Sequence, residues 1–182
     1  MFLMYFPFSS LETTVLVSPP ALLKYSVALS IVTLVTLVSA LFDLSSGIIS
    51  QFIGRRRWGL IIACMTVLTI IPAMYGFAYI TKTSLVLGAV IGVYIASFTI
   101  MQFGFIHAYF SERFKTSHRS SGYAFGQLFG LFVAGFFTYY VDLLHRFMVP
   151  FEGNNVWLSV SIVILIGAVL FGTGMFLGPE TK

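Results

Sequence analysis

Apolar residues run along this chain in long blocks separated by short polar stretches. Five blocks are long enough to matter: Lys24–Ser50, Trp58–Ile80, Leu85–Phe110, Gly122–Leu143 and Asn155–Gly178. One crossing of a bilayer as a helix needs roughly 20 predominantly apolar residues. Each block meets that length, and none shows the segments of about 10 alternating residues that a membrane barrel strand would show. A helix that is apolar all round carries no period, so length is the main argument for helix here. The leading segment, Met1–Val17, is apolar but carries Pro7, Ser9, Ser10 and Glu12, and it ends at Ser18-Pro19-Pro20, which breaks a helix. It reads as half of a span or as a re-entrant piece. The pattern predicts one membrane domain over residues 1–182: an all-α polytopic bundle of five full transmembrane helices plus a partial N-terminal one.

Composition agrees with that reading. Of the 182 residues, 58% are hydrophobic and only 9% charged, and mean hydropathy is +0.98. Soluble domains are about 45–50% apolar and about 25% charged, and a small domain has too much surface to hide such an excess. Lipid solvates it directly. The charges sit almost entirely in the connections. Arg55, Arg56, Arg57, Arg113, Lys115, Arg119 and Lys182 fall on one side of the alternating topology, and Lys24, Lys82 and Arg146 on the other. Seven basic residues against three place the first side in the cytoplasm of a multi-pass cell-membrane protein. With the basic residues so placed, the net charge of +4 reports topology and not a nucleic-acid partner. No basic residue precedes Lys24, so the start lacks the basic region of a signal peptide.

Few residues are candidates for chemistry. Asp43 is the one acid well inside a full span, and an intramembrane carboxylate is a functional candidate by default. Two readings are open: a proton-carrying or substrate-contacting acid, or a structural partner, for example of Arg55. In the third full helix Ile91, Tyr94, Phe98, Gln102, Phe105 and Tyr109 recur at steps of three and four and share a face. That face suits either a polar, aromatic-lined pore or helix packing with an interhelical hydrogen bond. Tyr123, Gln127 and Thr138 make a similar case on the next helix. His107 lies near a helix end, and His107, His118 and His145 are too scattered for a metal site. Cys64 reads as a packing residue. No catalytic triad, phosphate-binding glycine loop or HExxH is present, so an enzyme and a cofactor are not expected. Gly122, Gly126 and Gly130, like Gly88 and Gly92, repeat every fourth residue, a spacing that lets helices approach closely in lipid.

Three stretches resemble the major facilitator superfamily, closest to its sugar-porter and metabolite–proton symporter branches. The first is Gly47-Ile-Ile-Ser-Gln51-Phe-Ile-Gly54-Arg55-Arg56-Arg57. It is similar to the family's cytoplasmic loop motif, with Gln51 where an acid is usual and Phe52 where a base is usual. The second is Glu112-Arg-Phe114-Lys115-Thr116-Ser-His-Arg119-Ser-Ser-Gly122, with Lys115 in place of the usual Pro. The third is the tail, Pro179-Glu180-Thr181-Lys182. The resemblance covers nearly the whole chain and implies helices eight to twelve of a twelve-helix transporter, with Met1–Val17 as the end of a seventh. It implies the C-terminal half of a secondary transporter that moves a small organic solute by alternating access, coupled to an ion such as the proton. The N-terminal half would come from a separate partner or be replaced by self-association. The alternative is a truncated, non-transporting remnant or an interaction subunit. Hexose carriers of the family have a Gln pair in the seventh helix, and Met1–Val17 has no Gln.

Overall fold

A computed structural model describes residues 1–113 and 118–178, without the side chains of residues 113 and 152. Phe114, Lys115 and Thr116 of the second motif, and the tail Pro179–Lys182, lie outside the described residues. Among the described residues there is no strand. The helices are α1 (Phe2–Val17), α2 (Tyr25–Ile53), α3 (Arg55–Ile80), α4 (Leu85–Ile100), α5 (Phe103–Arg113), α6 (Arg119–Gly135), α7 (Phe137–Glu152) and α8 (Trp157–Leu177). α4 with α5, and α6 with α7, are single long helices with a local break, so five helices are long and apolar enough to cross a membrane: Tyr25–Ile53, Arg55–Ile80, Leu85–Glu112, Arg119–Phe151 and Trp157–Leu177. The chain is a multi-pass membrane helix bundle with a short apolar first helix.

Two connections are shorter than the polar stretches suggest. Between α2 and α3 only Gly54 is non-helical, with φ 99° and ψ 134°. That left-handed φ favours glycine, and the three arginines begin α3 instead of forming a loop. The helix expected to end near Leu143 runs on to residue 151. The extension carries an exposed Asp142–Arg146 pair one turn apart, 2.9 Å between charged atoms. Arg146 is therefore helical.

α1 lies inside the bundle and not on its surface. Met4, Phe8, Val15 and Leu16 are fully or almost fully buried. Gly167 of α8 lets the two backbones meet: a Cβ there would stand 2.9 Å from Leu3 C and Met4 N. At the other end of α1, the buried Asn155 donates to the carbonyls of Val15 (3.0 Å) and Pro19 (2.7 Å). Its side-chain oxygen accepts from the Trp157 amide at 3.0 Å, satisfying the first N–H of α8. α1 thus reaches from the middle of the bundle to the end remote from the arginines. Tyr75, Tyr79 and Trp157 cluster at that remote end, with Tyr75 and Tyr79 stacked at 4.4 Å. Aromatic residues of this kind suit the bilayer boundary.

Two interhelical ties hold the arginine end. Arg55 forms an ion pair with Glu112. Arg56 donates to the carbonyls of Met175 (3.2 Å) and Phe176 (2.7 Å), covering the C-terminal carbonyls of α8 that no helical amide can reach.

Candidate functional site

The site grows from the break between α4 and α5. Interrupting a helix in lipid frees carbonyls that need donors. Gln102 Nε2 donates to Thr99 O at 2.7 Å and to Met1 O at 3.0 Å. Ser46 Oγ of α2 donates to Met101 O at 2.6 Å and accepts from Trp58 Nε1 at 2.7 Å. The break is therefore built into its packing against α2, α3 and the start of the chain.

One turn further on, α5 and α2 touch backbone to backbone. A Cβ on Gly47 would stand 2.9 Å from Gly104 O, and a Cβ on Gly104 would collide with Asp43 O. The approach sets the Asp43 carboxylate against the Gly104 backbone, with His107 of the same helix nearby. Asp43 Oδ1 is buried and has no hydrogen-bond partner among the described residues. Asp43 lies eleven residues before Gly54, about 16 Å along a helix that rises about 1.5 Å per residue.

His107 opens onto a second polar group. Its Nδ1 is 2.5 Å from Tyr123 Oη and 3.1 Å from Gln127 Nε2, and Gln127 Nε2 donates to Tyr123 Oη at 2.8 Å. These contacts are consistent with Tyr123 donating to an unprotonated Nδ1 while Gln127 donates to Tyr123, which leaves the imidazole proton on Nε2. Tyr123 and Gln127 are one turn apart on α6, so a single helix face presents both. Gln127 also lines a cavity of about 310 Å³ bounded by α1, α5, α6 and α8. Its walls include Phe2, Ile106, Tyr109, Gly126, Phe171 and Gly174. The volume is at the lower end for ligand pockets, and the walls are apolar apart from a few groups.

The residues singled out from the sequence do not all converge. Asp43, Tyr123 and Gln127 lie in or beside the His107 cluster. Gln102 is fully buried at the break. Tyr94 lies elsewhere, donating to Thr69 of α3 at 2.8 Å and packing on Phe98 at 4.9 Å. Tyr109 is buried and lines the cavity, whereas Thr138 is exposed. Arg55 pairs with Glu112 and not with Asp43. Gln51, Arg57 and Arg119 are exposed, and Gly122 is half-buried on α6. The stripe Gly122–Gly126–Gly130 does not seat α6 on α2: a Cβ on Gly126 would meet nothing within 4 Å, and one on Gly130 would meet the Phe2 ring at 3.2 Å. The close glycine contact of α2 is with Gly104. Gly92 does sit in a tight contact, with Phe77 at 2.8 Å and Val35 at 2.9 Å from its Cβ position.

Three residues carry more than their sequence positions suggested. His107 joins the Asp43 and Tyr123–Gln127 groups, Asn155 ties α1 to α8, and Glu12 is a buried acid inside α1. For His107 the available signal was its spacing from Gly104. Among the described residues no group of three or more His, Cys, Asp or Glu side chains is arranged for a metal ion. Comparison with known proteins finds no matching family model, no curated relative and no similar solved structure.

Proposed function

We propose that this chain is half of a secondary transporter of the major facilitator type, moving a small organic solute by alternating access with ion coupling. One observation carries the reading. Asp43, His107, Tyr123 and Gln127 form a polar group at bilayer depth that the rest of the bundle leaves partly open, with His107 exposed. Such groups are costly against hydrocarbon and normally face water or protein. A water-filled solute path, closed on its other side by a second bundle, meets that need. The broken helix beside the group supports the same reading, since transporter sites favour discontinuous helices near the midplane. So does the Arg55–Glu112 pair, which connects the two stretches whose sequences resemble the family's loops.

In this reading Gln127 contacts the solute in the cavity, Tyr123 holds Gln127 and His107 together beside it, and Asp43 couples ion movement to it through His107. The second bundle is a partner half or another copy of the chain. The arginine end faces the cytoplasm, as the seven-to-three distribution of basic residues favours.

The test is uptake. Cells producing the chain are offered labelled organic acids, amines and polyols, with and without a protonophore, beside cells producing the Tyr123→Phe, Gln127→Leu double variant. The expected result is one class of solute accumulated by the parent alone and lost with the protonophore. If no solute exceeds the empty-vector level, the open polar face serves only to dock a partner, and an interaction subunit is the better description.

A further inference from the structure

On the far side of α1 lies a second acid. Glu12 is 3% exposed, and its Oε2 is buried with no hydrogen-bond partner among the described residues. Uncompensated charge in such a place is very costly. With Ser9, Thr36, Ser39 and Thr99 it lines a chamber of about 20 Å³ between α1, α2 and α4. That is room for one water molecule or one small bare ion.

The protons of the four aliphatic hydroxyls are engaged elsewhere. Ser9 donates to Phe6 O (3.3 Å), Thr36 to Val32 O (2.9 Å), Ser39 to Thr36 O (3.0 Å) and Thr99 to Ala96 O (2.9 Å). A hydroxyl that donates to its own helix keeps its lone pairs for another partner. Tyr5 lines the same chamber, its ring packed on Phe6 and Phe103. Around one carboxylate, then, stand four hydroxyl oxygens that act as acceptors. An oxygen-only donor set suits a hard cation. Charge fixes its valence, because one carboxylate in a low-dielectric interior is neutralised by one positive charge, and a divalent ion would leave an excess.

A row of hydroxyls on α2 ends at the chamber. Ser26, Ser30, Thr33 and Thr36 recur at steps of four, three and three along α2 and are exposed. They lead from the Lys24 end of the helix to the rim of the chamber.

We propose that the Glu12 chamber binds a sodium ion, held by the carboxylate and the hydroxyl oxygens of Ser9, Thr36, Ser39 and Thr99. Binding does not depend on the transport reading; only its use as a coupling ion would.

The purified chain in detergent is unfolded thermally in sodium chloride and in choline chloride at equal ionic strength. Near-saturating sodium is expected to raise Tm by on the order of 5 °C. Glu12→Gln keeps the size of the side chain and removes its charge, and it should abolish the sodium response. Thr99→Val should raise the sodium concentration needed by about tenfold, the effect of losing roughly 1.4 kcal/mol of binding. If Glu12→Gln does not fold, Thr99→Val and Thr36→Val decide. Equal Tm in the two salts, a sodium shift that survives these substitutions, or a matching shift with potassium overturns the proposal. So does a Tm that follows pH but not sodium, which would make Glu12 a proton carrier. A chain that binds sodium and moves no solute keeps this inference and removes the transport reading.

Discussion

Arg55 and Glu112 close an ion pair between the first residue of α3 and the last turn of α5, joining two segments that are 57 positions apart. The pair is partly shielded, with 16% and 32% of the two side chains exposed. Its coupling, measured by a double-mutant cycle with Arg55→Gln and Glu112→Gln, should be about 1 kcal/mol. It should shrink as salt rises. Additive losses in Tm would mean that the contact contributes nothing to the fold.

Arg56 should protect the end of α8. Its guanidinium covers two carbonyls there, and charge-assisted hydrogen bonds contribute about 1.5–3 kcal/mol each when formed in place of water contacts. Arg56→Met is expected to leave the other spans intact and to speed amide exchange over residues 172–177. Unchanged exchange in that last turn would show that it is held by other contacts.

Gly104 and Gly126 should respond in opposite ways. At Gly104 a Cβ collides with the backbone of α2, which cannot rotate aside. Gly104→Ala should cost about 1–3 kcal/mol, as overpacking does. At Gly126 there is open space, so Gly126→Leu should leave Tm nearly unchanged while filling the cavity and abolishing uptake of whatever solute the parent accumulates. A large drop in Tm for Gly126→Leu would mean that α6 packs more tightly than described.

Asp43→Asn separates coupling from architecture. If Asp43 carries the coupling proton, uptake driven by a proton gradient is lost while exchange between equal solute concentrations persists. If the carboxylate only fixes α5 against α2, both rates fall together. Uptake that keeps its full pH dependence removes Asp43 from coupling.

Orientation is tested in a Cys64→Ala background. Cysteines introduced at Lys82 and Arg146 should react with an impermeant reagent outside intact cells, and one at Arg57 only after permeabilisation. Reaction at Arg57 from outside reverses the assignment.

Much of the fold was legible because bilayer thickness imposes a minimum length, and each apolar block exceeds it. Helix ends were less legible. Polar residues mark where the chain meets water, not where it stops being helical, so Arg55–Arg57 looked like a loop and Arg146 like a connection. Within the site, Tyr123 and Gln127 stood out as polar residues one turn apart on an apolar helix. Tyr94 and Gln102 shared a face by spacing, yet Tyr94 points its hydroxyl at Thr69 while Gln102 serves a helix break that spacing alone does not show. Gly126 was read as a contact because a glycine that admits a neighbour and one that leaves a void look the same in sequence. Glu12 was passed over because its helix is too short for a full span, and its burial comes from α2 and α4, which pack over it.

Gly54 leaves the corner between α2 and α3 without slack. A longer loop would let the two helices slide past each other along the membrane normal, each finding its own depth. With one residue between them, the last turn of α2 and the first turn of α3 share one depth, and Arg55 and Arg56 tie that depth to the ends of α5 and α8. The corner therefore works as a knuckle and not as a tether: four helix ends are pinned to one level by a single glycine and the two arginines that follow it.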